Sequence, residues 1–271
     1  MKLRSFFFLA IFAHGHYPIS AQSIKDTRTA VLNNSELAIT DSFSLNSNIS
    51  SSYFSKSNVL EVSHHQNYFV KELSQSTLQY QYGKLSNQLF KFGLNYSGNV
   101  IYNSIMSSLG YARKITEKIN LGVAITHERF QYAESRYNDL NNIYPSISLF
   151  VKATPKIDLA CLIINPFRSK IAKDLFTPGK LIGSIAYSVN KSSKIGFGIE
   201  QKSGQEIIFT SGIDYQFSKI IVIRSAYVYQ LSKLSFGTRI FYQKIFFDIG
   251  FSNQLLTGNS ASFSFLIPFS K

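Results

Sequence analysis

From Ser76 to the end of the chain, apolar and polar residues alternate. In Ser76–Gly83, Leu78, Tyr80 and Tyr82 take one face and Thr77, Gln79 and Gln81 the other. In Leu89–Tyr96, Phe90, Phe92, Leu94 and Tyr96 oppose Lys91, Gly93 and Asn95. Phe209, Ser211, Ile213, Tyr215 and Phe217 oppose Thr210, Gly212, Asp214 and Gln216. At the end, Ala261, Phe263, Phe265, Ile267 and Phe269 oppose Ser262, Ser264, Leu266 and Pro268. A period of two belongs to strands, and an apolar face backed by polar residues or glycine requires a sheet with one greasy surface. The pattern outranks local propensity. Tyr111–Val123 is rich in helix-forming Ala, Arg, Lys and Glu, yet Ile119, Leu121, Val123 and Ile125 alternate with Asn120, Gly122, Ala124 and Thr126. The charged stretch Lys114–Lys118 is therefore expected as a turn between two strands.

The turns recur. A Lys-Ile pair is expected to open a strand at 118–119, 156–157, 194–195, 219–220 and 244–245, giving spacings of 38, 38, 25 and 25. The shorter spacing holds two strands of about 9–11 residues with their turns, the length of a tilted strand that crosses a bilayer. The longer spacing inserts a loop, at 131–142 and at 165–180. Both loops fall on the rim opposite the Lys-Ile turns. About thirteen strands run from Ser76 to Phe269. Single-chain bacterial barrels use even numbers, so Ser42–Tyr53 or Val59–His65 is expected to supply the fourteenth, with 12 or 16 as alternatives. Residues 22–41 lack strong periodicity and are expected as a periplasmic arm or a plug.

The N-terminus carries Lys2 and Arg4 before an apolar Ser5–Ala13, and Ser20-Ala21 precede Gln22. This is the pattern of a secretory signal peptide, cut after Ala21, which leaves 22–271 as the barrel. No later segment has the roughly 18 or more apolar residues of a membrane helix. An exported chain of this kind is soluble, or it spans a membrane as a closed barrel. A soluble β-sandwich would also alternate, but it rarely needs so many strands of such even length. The expected fold is all-β: a transmembrane antiparallel up-and-down barrel of about 14 strands in the outer membrane of a Gram-negative bacterium.

Keeping the apolar residues on one face fixes a register at three turns. Lys152 then stands opposite Asp158, Asp214 opposite Arg224, and Arg239 opposite Asp248. Opposite charges as cross-strand neighbours are favourable, and charge facing lipid is costly, so the polar face is the lumen. These six residues are the candidate site, either as interior stabilisation or as the lining of a pathway.

Other chemistry is sparse. His64-His65 would point to opposite faces of a strand, and His127 stands alone. There is no Gly-x-Ser-x-Gly elbow, phosphate loop or metal-ligand spacing. Cys161 is the one cysteine, and it falls among the apolar set with Leu159 and Ile163. Catalytic residues, cofactors and metals are not expected, and neither is an enzyme. The formal net charge is +13, or +11 without Lys2 and Arg4. After a signal peptide, such a surface suits outer-membrane lipid and lipopolysaccharide rather than nucleic acid.

Asn67–Val123, with its tyrosine strand, its glycine strand and "YARKITEKINLGV", resembles the Bacteroidota outer-membrane barrels related to PorV and PorQ. These are similar to FadL-type transporters. "NPF" at Asn165–Phe167 is similar to the family's asparagine-proline pair, and "FSFLIPF" to its closing strand. The resemblance implies that Phe269 is read by the barrel-insertion machinery. The family's N-terminal Asn-Pro-Ala element has no match, since Leu32–Ile39 reads "LNNSELAI". The resemblance implies a channel or transporter for small hydrophobic or amphipathic molecules. The alternative is a non-transporting component of type IX secretion or a surface-assembly scaffold, with secretion-system proteins as partners.

Overall fold

The computed structural model describes residues 26–39, 48–52, 58–85, 87–134, 139–172 and 175–269. The expected signal peptide, 1–21, lies outside them. Seven strands come first: β1 (Asn58–Gln66), β2 (Ser74–Leu85), β3 (Gln88–Gly98), β4 (Tyr102–Lys114), β5 (Ile119–Tyr132), β6 (Leu140–Lys152) and β7 (Ile157–Ile164). A small hairpin follows, β8 (Lys170–Ala172) with β9 (Leu175–Phe176). The second half is β10 (Lys180–Ser188), β11 (Ser193–Lys202), β12 (Ile208–Gln216), β13 (Ile221–Val228), β14 (Lys233–Tyr242), β15 (Ile245–Gln254) and β16 (Gly258–Phe269).

All except β8 and β9 join one closed antiparallel barrel, fourteen strands in sequence order, with β7 beside β10 and β16 beside β1. Asn58 pairs with Phe269 and Gln66 with Ala261 at the closing seam. Every barrel strand therefore has two neighbours, and no backbone edge is left unpaired. This is the condition for placing strands in hydrocarbon. The fourteenth strand is β1, which contains Val59–His65. Of the other expected strand, Ile49–Ser52 forms a helical turn, and 42–47 and 53 lie outside the described residues.

The barrel is apolar outward. Leu78, Phe92, Ile125, Ile147, Phe197, Ile213, Ile249 and Phe263 are all exposed. Their in-line neighbours Thr77, Gln79, Asn120, Thr126, Thr210, Ser262 and Ser264 are buried inward. A soluble protein inverts this arrangement.

The Lys-Ile turns have a local cause. Thr116 Oγ1 accepts hydrogen bonds from the amides of Lys118 (3.2 Å) and Ile119 (3.1 Å). Thr154 Oγ1 does the same for Lys156 (3.2 Å) and Ile157 (3.0 Å), and Ser218 Oγ for Ile220 (3.2 Å) and Ile221 (3.1 Å). A hydroxyl that caps the turn leaves the next lysine in solvent and the isoleucine at the strand entrance. The expectation that each pair opens a strand needs two corrections. Lys194 is already the second residue of β11, and Lys219-Ile220 stays in the turn before β13. At these three turns the hydroxyl sets the geometry and the pair follows it, whereas before β11 the Asn190 side chain accepts from the Ser192 amide instead.

The N-terminal segment lies within the barrel. A helix over Thr27–Leu32 is capped by Asp26, whose carboxylate accepts from the Thr29 amide at 2.6 Å. A 3-10 helix over Asn33–Leu37 continues it. The helix packs on β12–β16 and β1, and the 3-10 turn on β10–β13. Inward glycines make the seat. A Cβ at Gly212 would lie 2.3 Å from Ser35 Oγ, and one at Gly122 would lie 2.4 Å from Ile49 Cγ2. Gly212→Val is therefore expected to lift the 3-10 turn, at an overpacking cost of about 1–3 kcal/mol. Trypsin should then cut at Arg28, which is fully buried in the native fold. A Gly212→Val barrel as resistant as the parent would show that the seat has room to spare.

Candidate functional site

The lumen is the one large interior surface, and its lining divides into two arcs. On β12–β15 it is charged. Arg239 donates to both carboxylate oxygens of Asp248, Nε at 2.7 Å and Nη2 at 2.6 Å. Arg224 Nε donates to Asp214 at 2.9 Å, and its Nη1 stands 3.5 Å from Asp248. The four side chains form one relay, Asp214–Arg224–Asp248–Arg239. Arg224, Arg239 and Asp248 are at most 4% exposed. Burial raises the strength of each contact and the cost of breaking it. Asp214 stands opposite Arg224 and Arg239 opposite Asp248 in the strand register. Lys152 stands opposite Asp158 at the short-turn end of β6 and β7. That pair is half-buried and lies apart from the relay.

On β6, β7 and β10 the lining is apolar. Tyr144, Phe150, Ala160, Leu162, Ile164 and Ile182 pack against Leu32, Leu37, Ala38 and Ile39 of the inner segment. The contact is an apolar seam between plug and wall.

The plug is held by polar bonds at its long-loop end. Asn34 Nδ2 donates to Glu200 Oε2 at 2.6 Å. Lys180 Nζ lies 2.9 Å from the same oxygen, and Lys202 Nζ lies 3.6 Å from the other. Lys180 and Lys202 face each other directly in the β10–β11 register. Two like charges so placed repel, and Glu200 offsets them both. Ser184 Oγ donates to the Ser35 carbonyl at 3.1 Å, and Lys233 Nζ reaches Asn33 Oδ1 at 3.3 Å. Within the plug, Thr29 Oγ1 donates to Glu36 at 2.8 Å, and Arg28 donates to the Ile39 carbonyl.

Among the described residues, two cavities are lined at the long-loop rim. One, of about 130 Å³, sits above the plug beside the seam. Leu162, Ile182, Ile208, Val228 and Leu231 give its apolar walls, and Asn34, Glu200 and the two lysines its polar ones. The other, of about 330 Å³, lies under the β1–β2 connection, against Tyr68, Leu73, Gln75, Tyr102 and Ser104. Between them the 165–180 loop folds into the mouth. Asn165, the asparagine of "NPF", is fully buried at φ 50°. It donates to the Thr177 carbonyl at 2.7 Å and accepts from the Ser169 amide at 2.9 Å. Asn142 donates to the Thr177 hydroxyl at 2.5 Å. This asparagine fastens the loop.

Sequence reasoning missed Glu200, Lys180 and Lys202; of its two options for residues 22–41, arm or plug, the described residues 26–39 take the plug. One signal was available: a register that sets two lysines side by side demands an anion nearby.

The architecture is similar to that of solved outer-membrane channels. A deltaS2 mutant of the TodX monoaromatic hydrocarbon channel matches with a TM-score of 0.71 at 12% identity, over 91% of this chain and 99% of that one. The toluene transporter TodX of Pseudomonas putida matches at 0.67 and 10% identity, over 92% of this chain and 98% of that one. The toluene transporter TbuX of Ralstonia pickettii matches at 0.60 and 9% identity, over 79% and 90%. At these identities the likeness is one of fold. No family model matches the sequence, and no curated protein matches it.

Proposed function

We propose that this chain is an outer-membrane channel that passes small hydrophobic or amphipathic molecules between its plug and its wall. The observation that carries the reading is the apolar seam. Leu162 and Ile182 line both the small cavity at the mouth and the contact with Leu32, Leu37 and Ile39. An apolar solute leaving that cavity meets the apolar side chains of the seam next. The fold shared with monoaromatic hydrocarbon channels supports the same class of cargo, and so does the FadL-like resemblance of the sequence. The seam is closed at rest, so passage requires the plug to shift, and the Glu200 cluster is the contact to release. The reading is of a conduit and not an enzyme. It places the cleaved chain in the outer membrane, inserted by the barrel-assembly machinery and bordered by lipopolysaccharide.

Uptake of radiolabelled toluene into cells that express the barrel under a lipopolysaccharide-coated outer membrane tests this. Expression should raise the initial rate several-fold over an empty vector. Leu162→Arg, which puts a charge in the seam, should return it to the vector level. A folded barrel that gives vector-level uptake of both toluene and a medium-chain fatty acid would sink the transport reading. The filled lumen favours a second reading in that case: a non-transporting scaffold or type IX secretion component of the PorV/PorQ kind.

A further inference from the structure

The two rims of the barrel differ in charge. On the short-turn rim, Lys118 lies between β4 and β5, Lys156 between β6 and β7, Lys191 between β10 and β11, Lys219 between β12 and β13, and Lys244 between β14 and β15. All five are exposed, as is Arg113 beside the first of them. Among the described residues of the turns and strand ends there, the acidic groups are Glu117, which is taken by Lys114 at 2.5 Å, and the half-buried Asp158. The long-loop rim is mixed. Glu72, Glu134 and Glu206 are exposed on it, and Arg129 is held by Asp139 at 2.7 Å. Lys180 and Lys202 turn inward to Glu200.

A second observation fixes the height of the lysines. Directly on their membrane side stand large exposed aromatics: Phe217 two residues before Lys219, Tyr242 two before Lys244, and Tyr187 four before Lys191. Aromatic side chains at strand ends mark the interface of a spanning barrel. A lysine one step beyond them reaches the phosphate layer with its flexible stem. An ammonium is a compact point charge suited to a phosphate oxygen.

We infer that the short-turn rim is a cationic collar that binds the acidic phospholipid headgroups of the leaflet around it. The shape of the patch selects this partner. The lysines follow the wall from the β4–β5 turn to the β14–β15 turn, which is most of the circumference. A folded protein docks on one side of a barrel, and a cell-wall polymer lies beneath it. An annulus of lipid meets every strand end. The collar also makes the two leaflets inequivalent to the barrel, which favours one insertion direction. This inference rests on the membrane placement and not on transport, so failure of the uptake experiment leaves it standing.

The intact barrel would be placed in vesicles of phosphatidylcholine and in an equal mixture with phosphatidylglycerol. Lipids retained by the barrel would then be counted by native mass spectrometry. The parent should hold phosphatidylglycerol several-fold over its share of the mixture, and raised salt should reduce the excess. The combined variant Lys118→Gln, Lys156→Gln, Lys219→Gln, Lys244→Gln should lose most of it. Lys71→Gln with Lys170→Gln, on the other rim, should keep it. Should the fourfold variant not fold, the salt series on the parent decides alone. Equal retention of both lipids by the parent overturns the inference. So does an excess that the long-loop variant reduces as much as the collar variant. A parent without lipid preference that co-sediments with peptidoglycan would reassign the collar to the wall polymer.

Discussion

Asp248→Ala is expected to cost the barrel about 3–5 kcal/mol, the range for removing one partner of a buried ion pair. Its carboxylate is 1% exposed and serves two guanidiniums. Alanine leaves Arg239 without its bidentate acceptor and Arg224 with Asp214 as its nearer one. The cost comes from the cations left behind in the lumen, and this sets the ranking of related variants. Asp214→Asn should cost clearly less, because Arg224 keeps Asp248 and asparagine keeps an oxygen. Arg239→Met with Asp248→Leu should recover most of the loss, because an apolar pair of similar volume replaces an ion pair at little cost. Methionine would also stay on the Phe246 ring, over which the Arg239 guanidinium sits at 5.5 Å. Urea unfolding in detergent, followed by far-ultraviolet circular dichroism and by heat-modifiable gel mobility, measures all of these. If Asp248→Ala unfolded with the parent, the relay would hold nothing together.

The second large effect concerns the plug. Deleting residues 26–39 should turn a closed lumen into a partly water-filled one and raise single-channel conductance in planar bilayers several-fold, because among the described residues only the Ile49–Ser52 turn would remain inside. The wall tolerates this. Thr210, Ser235, Arg224 and Glu200 face the plug side as polar groups and can be hydrated in its place. The reverse experiment tests whether the plug must move. Asn34 and Glu200 touch side chain to side chain at 2.6 Å. Asn34→Cys with Glu200→Cys, in a Cys161→Ser background, should be bridged by a short bifunctional methanethiosulfonate reagent, which spans the gap that the two shorter side chains leave and locks the plug. Locked barrels should lose toluene uptake and regain it with reductant. Uptake that ignores the lock would put the route elsewhere than the seam. A deletion that conducts no better than the parent would mean that the plug is not what closes the bore.

The features that could be read from the sequence were those tied to the period of two. With Leu78, Phe92 and Ile213 assigned outward, the partners of Arg239, Arg224 and Lys152 followed from counting across the turns, and the strand registers agree with that count. The contact between Arg224 and Asp248 did not follow. It skips β14 and joins two strands that share no hydrogen bond. Curvature brings these side chains together, and a pairwise register carries no curvature. The plug was legible only as one of two options for residues 22–41, for another reason. Its helix has six residues, all buried, so it shows no amphipathic stripe. Its trace was instead in the wall, where Gly196, Gly198 and Gly212 occupy inward positions that elsewhere hold serine, threonine or glutamine. Without coordinates, such glycines read as mere alternation. With them, they outline the body that fills the space.

The seam between β1 and β16 has a consequence for how the molecule is made. Asn58 pairs with Phe269, so the first wall strand waits for the last one to be synthesised. No shorter nascent chain can seal itself, and contacts this distant in sequence form late and slowly. The plug precedes β1 in the chain, so its residues exist before any part of the wall that will enclose them. The closing strand β16 is therefore the one that shuts the door behind a segment made before any of the wall.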